Sequence, residues 1–348
     1  MKLTIPRPVS AGVFLSYMCT SECRHCMYAC SPRWRADWIG EKDLERILTQ
    51  LSETIQPSRL GARYVGLNHG LHFTGGEPFL NFELLVRAVE KAHELRIPSI
   101  FVETNSFWCI NDREAMDRLE RLRNAGLHGL LVSVNPFILE EVPFERTERA
   151  INFGRKVFGS NAMVYQETFL NQFRSHQLKG TLQFERYLQL FGPDGFSRAE
   201  LLPLGRANYE LARFYEKHPA DEFFGVKCVE SLTRQWHVHV DNYGNYLPGY
   251  CGGISLGDAR ELSSVCTERD LEGLRVLGAL ATGLGELYKL AREDFGYSPL
   301  ADGYVSGCHL CLDIRRHLVH ETDQFEELEP KEFYAQLHSG RSNSVESR

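Results

Sequence analysis

The stretch Gly12-Val-Phe-Leu-Ser-Tyr-Met18, followed at once by Cys19-Thr-Ser-Glu-Cys23-Arg-His-Cys26, decides how this sequence is read. Its first half is a short apolar and aromatic run of the kind that forms a buried strand. Its second half puts three thiols into one loop at that strand's C-terminal end. Three chemistries suit such a loop. Buried cysteines can simply fill a core; a zinc ion would want a fourth ligand, for which His25 or Cys30 is at hand; and three thiolates on a four-iron cluster leave one iron open to a cofactor or substrate.

Outward from this stretch, as far as about Lys217, short apolar runs alternate with longer amphipathic segments, the pattern of strand followed by helix. Strands are expected at Gly12–Met18, Leu71–Thr74, Ser99–Thr104, Gly129–Val134, Ala162–Phe169 and Arg198–Pro203. Helices are expected at Glu41–Thr54, Phe82–Leu95, Asp112–Asn124, Phe144–Phe158, Thr181–Leu190 and Asn208–Glu216. Leu44, Ile47, Leu48 and Leu51 recur on one helical face, as do Leu84, Leu85, Ala88 and Val89 behind a candidate N-cap at Asn81. Repeated βα units imply parallel strands with right-handed crossovers, hence an α/β barrel or a doubly wound sheet. In either case chemistry collects at the C-terminal edge of the strands.

The chain has 348 residues, 43% of them apolar, which is enough for one large domain and a smaller appendage. A net charge of −7 argues against an extended nucleic-acid surface. No stretch approaches the roughly 20 apolar residues of a spanning helix, and the first residues lack a signal-peptide core, so a cytoplasmic protein is expected. In that compartment ten cysteines read as reduced thiols or metal ligands, not as a disulfide framework. The expected division is a core at 1–217, a loop-rich, cysteine-bearing domain at 218–320, and an acidic polar tail at 321–348 whose end has little to bury.

A second motif, Gly75-Gly76-Glu77-Pro78, follows the second strand. Alone it is an ordinary strand-to-helix turn punctuated by glycine and proline. Beside a C-x3-C-x2-C loop it resembles the radical S-adenosylmethionine superfamily. That resemblance implies a partial (βα)6 barrel of the TIM type, with a [4Fe–4S] cluster on Cys19, Cys23 and Cys26 whose open iron chelates S-adenosylmethionine. It further implies reductive cleavage of that cofactor to a 5′-deoxyadenosyl radical and hydrogen abstraction from substrate, with the electron supplied by a donor such as flavodoxin or ferredoxin. Gly75, Gly76, Glu77 and Pro78 would then face the methionine amino group, with Glu77 as an acceptor. Glu103 and Asn105 after the third strand, and Ser133 and Asn135 after the fourth, occupy edges where the family contacts ribose and carboxylate, although Ser and Asn favour such caps and turns anyway. His25 stands where an adenine-stacking side chain is common in the family. Arg206, in Gly205-Arg206-Ala207, completes the set, as an anion contact or as one half of a structural ion pair.

Beyond the barrel lie Cys228, Cys251 and the pair Cys308-His-Leu-Cys311. A C-x2-C pair serves zinc and iron–sulfur sites alike. The segment Val238–Asn245 reads as a β-hairpin with a Tyr-Gly-Asn turn, which would bring Cys228 and Cys251 together. This arrangement resembles the twitch module, a shortened SPASM domain, and implies a second, auxiliary [4Fe–4S] cluster on those four cysteines. Cys30, Cys109 and Cys266 are left over. His237 and His239 alternate along a strand and can share a face; such a pair is more often half of a strand pattern than a set of metal ligands.

A fully ligated auxiliary cluster suits electron transfer, and the spacing of the four distal cysteines resembles twitch-bearing alcohol dehydrogenating enzymes. The expected reaction is therefore net oxidation of a small molecule. Maturation of a ribosomal peptide is the alternative within enzymes, and a zinc- or cluster-stabilised binding module the alternative outside them. Tyr165 and Glu167 are weak candidates for contacts inside the barrel.

Overall fold

The computed structural model describes residues 1–193, 196, 202–338 and 340. The core is a seven-stranded sheet. Its strands are β2 (Ser10–Ser16), β3 (Gly70–Gly75), β4 (Phe101–Thr104), β5 (Gly129–Ser133), β6 (Ala162–Tyr165), β7 (Val238–Val240) and β8 (Tyr246–Leu247), in the spatial order β6-β5-β4-β3-β2-β7-β8. Every neighbouring pair from β6 to β7 runs parallel; only β7 and β8 are antiparallel. A separate two-stranded ribbon joins β1 (Lys2–Thr4) to β9 (Glu268–Asp270), tying the first residues to the C-terminal half. The fold is a partial barrel of parallel βα units; the alternation predicts the units, and the barrel is the one of its two architectures that the resemblance implies.

β2, flanked on both sides by parallel strands, is buried along its whole length, which is why its sequence is largely apolar instead of alternating. The crossovers are made by α1 (Glu41–Ser52), α2 (Phe82–Glu94), α3 (Asp112–Asn124) and α5 (Phe144–Phe158), with a short α4 (Pro136–Leu139) between the last two. Each long helix buries one stripe on the sheet. Leu84, Leu85, Val86, Ala88, Val89 and Ala92 do so for α2, the larger of them contributing about 1.5–3 kcal/mol each. The N-caps are local: Asn81 Oδ1 accepts from Leu84 N at 3.3 Å, and Asn111 Oδ1 from Glu114 N at 2.9 Å.

Four expectations need amendment. The fifth strand ends at Tyr165, because Gln166 takes a left-handed backbone (φ 68°) and α6 (Glu167–Ser175) starts there. Phe169, Leu170 and Phe173 are the buried face of that helix, and Glu167 is exposed at its first turn instead of pointing into the barrel. The helix expected over Asn208–Glu216 is only Ala207–Glu210 followed by a 3-10 turn, Ala212–Phe214. The tail is not loose up to residue 338: Phe325, Leu328, Phe333, Tyr334 and Leu337 are all buried. Most of the sixth expected strand, and the chain end beyond residue 340, lie outside the described residues.

Candidate active site

The cysteine loop leaves the top of β2 and is stitched down from three directions. On one side, Gly76 N donates to Ser16 O (2.8 Å) and Glu77 N to Met18 O (3.0 Å), so the Gly-Gly turn lies directly against the start of the loop. A Cβ on Gly76 would fall 1.9 Å from Met18 O, which is why no other residue fits there. On another side, Asn105 Nδ2 donates to Thr20 Oγ1 at 2.9 Å and Ser21 Oγ at 3.3 Å, and reaches Cys19 Sγ at 3.7 Å. From beneath, the fully buried Arg206 takes the carbonyls of Cys23 (2.8 Å), Ala29 (2.7 Å) and Cys30 (3.2 Å), together with that of Gln336. Its own N–H donates to Cys26 O at 3.0 Å.

Arg206 is therefore not an anion contact. All of its guanidinium nitrogens are turned onto main-chain carbonyls, and it does not line the cavity. Glu77 is reassigned in the same way. Buried to 1% exposure, its carboxylate accepts from Phe79 N (3.2 Å), Thr104 Oγ1 (3.0 Å) and Asn105 N (2.7 Å), and burial lifts its pKa to about 7. It holds the turn to the end of β4. Pro78 is buried behind it, at the start of the 3-10 turn Pro78–Asn81.

The loop faces a cavity of about 440 Å³ lined by all three of its cysteines. Gly75, Gly76, Glu103, Asn105, Ser133 and His25 also line it, so most of the expected cofactor contacts converge on one space. Asn135 sits one step back. Its Oδ1 caps α4 by accepting from Phe137 N (3.1 Å) and Ile138 N (3.0 Å), while its Nδ2 lies 3.3 Å from His25 Nε2. His25 stacks on Phe137 (centroids 4.9 Å apart, 26° between planes), and burial holds the ring neutral by bringing its pKa down to about 4. It thus presents a fixed, uncharged aromatic edge beside the cysteines. Tyr165 also lines the cavity.

The thiols themselves are unequal. Burial and the nearby Glu77 push Cys19 up to about 12, whereas a hydrogen bond from Cys30 brings Cys26 down to about 6. Cys30 is therefore a buried neighbour inside the loop, its Sγ 3.2 Å from Gly75 O.

The distal cysteines also come together. Cys311, Cys251 and Cys308 all raise the pKa of Cys228 after burial does, and Cys251 and Cys311 do the same to Cys308. Arg315, buried to 5% exposure, donates to Cys311 Sγ at 3.3 Å, Gly252 O at 2.9 Å and the Tyr334 hydroxyl at 2.8 Å. The hairpin is as expected: Gly244 N donates to Asp241 O (3.0 Å), and His239 pairs with Leu247. Cys266 stands apart from the four, against Tyr246. Cys109 is buried and does not line the cavity.

Neither cysteine set is drawn in tightly enough for a single ion. A tetrahedral zinc with Zn–S bonds of about 2.3 Å holds its sulfurs roughly 3.8 Å apart. Among the described residues, the only three-residue group of His, Cys, Asp and Glu with ligand atoms mutually within 4.8 Å contains no cysteine. The corners of a cubane cluster spread their ligands more widely, and both sets fit that donor chemistry.

Residues 9–132 match the family model described as a 4Fe-4S single cluster domain, a span that holds the cysteine loop and the Gly-Gly-Glu-Pro turn. Among solved structures, the chain is similar to BtrN in complex with AdoMet and 2-DOIA, at 16% identity over 80% of this chain and 89% of that one, with a TM-score of 0.40. It is similar to native anSMEcpe with bound AdoMet at 13% identity over 94% and 95% of the two chains, TM-score 0.42. For Streptococcus suis SuiB bound to S-adenosylmethionine the values are 14% identity, 70% and 60%, and 0.32. No curated protein matches the sequence. Among the described residues, no helix is long and apolar enough to cross a membrane. The cysteine loop is thus a preformed backbone structure, clamped by Arg206, Gly76 and Asn105, and not merely a spacing of cysteines.

Proposed function

We propose that the chain is an enzyme that binds S-adenosylmethionine and one [4Fe–4S] cluster at the cysteine loop and uses them to oxidise a small molecule. The observation that carries this reading is the convergence of Cys19, Cys23, Cys26, the Gly75-Gly76 backbone, Asn105 and Ser133 on one cavity. A reduced cluster bound there supplies the electron that splits S-adenosylmethionine into methionine and a 5′-deoxyadenosyl radical.

The chain's own residues bind, orient and exclude water. With the Glu77 carboxylate already satisfied, an ammonium at this turn would meet main-chain carbonyls. Ser133 and Asn105 offer hydroxyl and amide groups to ribose and carboxylate, and Glu103, held by Thr74 Oγ1 at 2.8 Å, offers an acceptor deeper in the cavity. His25 offers its ring edge to adenine.

Cys228, Cys251, Cys308 and Cys311 would hold a second [4Fe–4S] cluster, beside the permanent positive charge of Arg315. Having no open position, it suits electron transfer. Such a group would supply a one-electron acceptor at those cysteines, as the net oxidation of an alcohol to a carbonyl would need, with the hydroxyl proton leaving to solvent. A protein one-electron donor, such as flavodoxin or ferredoxin, would reduce the first cluster.

A peptide substrate is favoured by one specific feature: Leu67 and Trp236, at the edge of the cavity, are 45% and 42% exposed. Trp236→Ala decides between them. Turnover that depends strongly on this residue with peptides, and on no small alcohol, would favour the maturase. Anaerobic reconstitution tests the whole assignment: about eight irons per chain and reductive formation of 5′-deoxyadenosine are expected. Zinc alone with no nucleoside formed would return the chain to a non-catalytic binding module.

A further inference from the structure

β2 runs between β3 and β7, both parallel to it, and in that register Gly12 lies opposite His72 on one side and His239 on the other. Gly12 is the space over which the two imidazoles meet. A Cβ there would stand 2.5 Å from His72 Nε2 and 2.6 Å from His239 Cδ2. His237, two residues before His239, shares its face of the strand and completes a triangle. The His72 and His237 rings stack with centroids 5.1 Å apart and 6° between planes, and His239 meets both edge-on, at 5.5 Å and 4.8 Å. One ring nitrogen from each residue lies within 4.8 Å of the others, and all three residues are at most 5% exposed.

The outer partners turn two of these rings. The Tyr28 hydroxyl donates to Gly249 O at 3.2 Å and lies 2.7 Å from His239 Nδ1, itself 3.2 Å from Gly249 O; with that hydroxyl proton on the carbonyl, Nδ1 is the donor to both oxygens and Nε2 keeps its lone pair. His237 Nδ1 is met by Ser10 Oγ at 3.2 Å, which leaves its Nε2 for the centre. His72 Nδ1 is buried without a partner, and its Nε2 lies 3.6 Å from Glu103 Oε1. A histidine whose far nitrogen is held by a carbonyl or hydroxyl is the usual form of a metal ligand. Without a cation, three buried imidazoles have little to do with their inward lone pairs.

We propose that His72, His237 and His239 form a mononuclear site for a divalent borderline metal, zinc by ligand chemistry, separate from both cysteine sites. Three imidazoles are the ligand set of a zinc centre with an open fourth position. His237, His239 and Glu103 line the same cavity as the cysteine loop, so that position faces the substrate space and would take water or an oxygen donor such as a hydroxyl or carboxylate. Zn–N bonds of about 2.0–2.1 Å place the nitrogens about 3.3 Å apart, so loading closes the triangle by small ring rotations.

The test uses the full-length chain, purified anaerobically, equilibrated with zinc and freed of excess, with zinc and iron counted per chain and the zinc K-edge absorption recorded. The site predicts about one zinc held by nitrogen and oxygen at about 2.0–2.1 Å, with imidazole outer shells and no sulfur at about 2.3 Å. His237→Gln should lose that zinc with iron per chain unchanged, and Ser10→Ala should bind zinc about 10- to 100-fold more weakly. Less than about a tenth of a zinc per chain, sulfur in the first shell, or full retention by a folded His237→Gln chain would each overturn the proposal. Should His237→Gln fail to fold, the absorption spectrum of the unaltered chain decides alone. Nucleoside formation is scored separately, so failure of this site and failure of the cluster assignment remain distinguishable.

Discussion

The two cysteine sites are built on opposite plans, and the arginine buried beside each shows how. At the N-terminal site three cysteines lie in one loop, and Arg206 ignores sulfur: it gathers the carbonyls of Cys23, Ala29, Cys30 and Gln336. At the C-terminal site four cysteines come from three separated segments, and Arg315 donates to Cys311 Sγ as well as to Gly252 O. The first arginine fixes the shape of a loop. The second places a positive charge and a donor on a cysteine sulfur. A contiguous site is shaped by its backbone, which leaves its chemistry open to a cofactor, whereas a dispersed site is assembled by the fold and tuned through its ligands.

Substitutions can break this comparison, and the largest effect is expected at the cysteines. Replacing Cys19, Cys23 and Cys26 together by alanine should leave about four of about eight irons per chain and abolish 5′-deoxyadenosine formation, as read by iron analysis and chromatography. Retained cleavage would show that the radical site lies elsewhere. Arg206→Met comes next. It takes the side-chain donor from the carbonyls of Cys30 and Gln336, whereas Cys23 O keeps Cys26 N and Ala29 O keeps Trp34 Nε1; at about 1–3 kcal/mol for each carbonyl left short, denaturant unfolding should show a loss of about 2 kcal/mol or more, with iron lost from the first site. Arg206→Lys should rescue little, because an ammonium cannot reproduce the fork. An Arg206→Met chain of unchanged stability would contradict the clamp.

Arg315→Met sharpens the contrast. Removing a positive charge and an N–H from Cys311 should lower the reduction potential of the second cluster by on the order of 50 mV, with nucleoside formation kept within about twofold. Equal effects at both clusters would erase the difference between the two plans. The smallest change is expected from His25→Phe, which keeps the stacked ring over Phe137 while losing the contact with Asn135. The apparent KM for S-adenosylmethionine should rise by no more than about threefold, and a loss of iron instead would make His25 part of the cluster's support.

The same contrast explains what could be read from the residues alone. The cysteine loop and the Gly-Gly-Glu-Pro turn were legible because each is contiguous, and the helices α3 and α5 fall on their expected limits because apolar periodicity and the Asn111 cap are local signals. What Arg206 and Glu77 do was not legible, since sequence carries no record of which carbonyls and amides meet a buried side chain. His72 was missed for a related reason. It lies 165 residues from His237, and only the parallel placement of β3 and β7 on either side of Gly12 brings them together. Alternation gave a hint: His72 stands two residues before Thr74, which holds the cavity-lining Glu103. The end of β6 failed because Phe169 and Leu170 are as apolar as a strand, and only the left-handed turn at Gln166 shows that they belong to a helix.

The cofactor of the N-terminal loop decides the proposed function. The most direct measurement is anaerobic reconstitution of the full-length chain with iron and sulfide, followed by S-adenosylmethionine, a strong reductant and separation of the products. Equal amounts of methionine and 5′-deoxyadenosine, lost when Cys19, Cys23 and Cys26 are replaced, are the predicted result. A chain that takes up iron at the loop yet leaves S-adenosylmethionine intact under strong reduction, or that holds only zinc there, would contradict it.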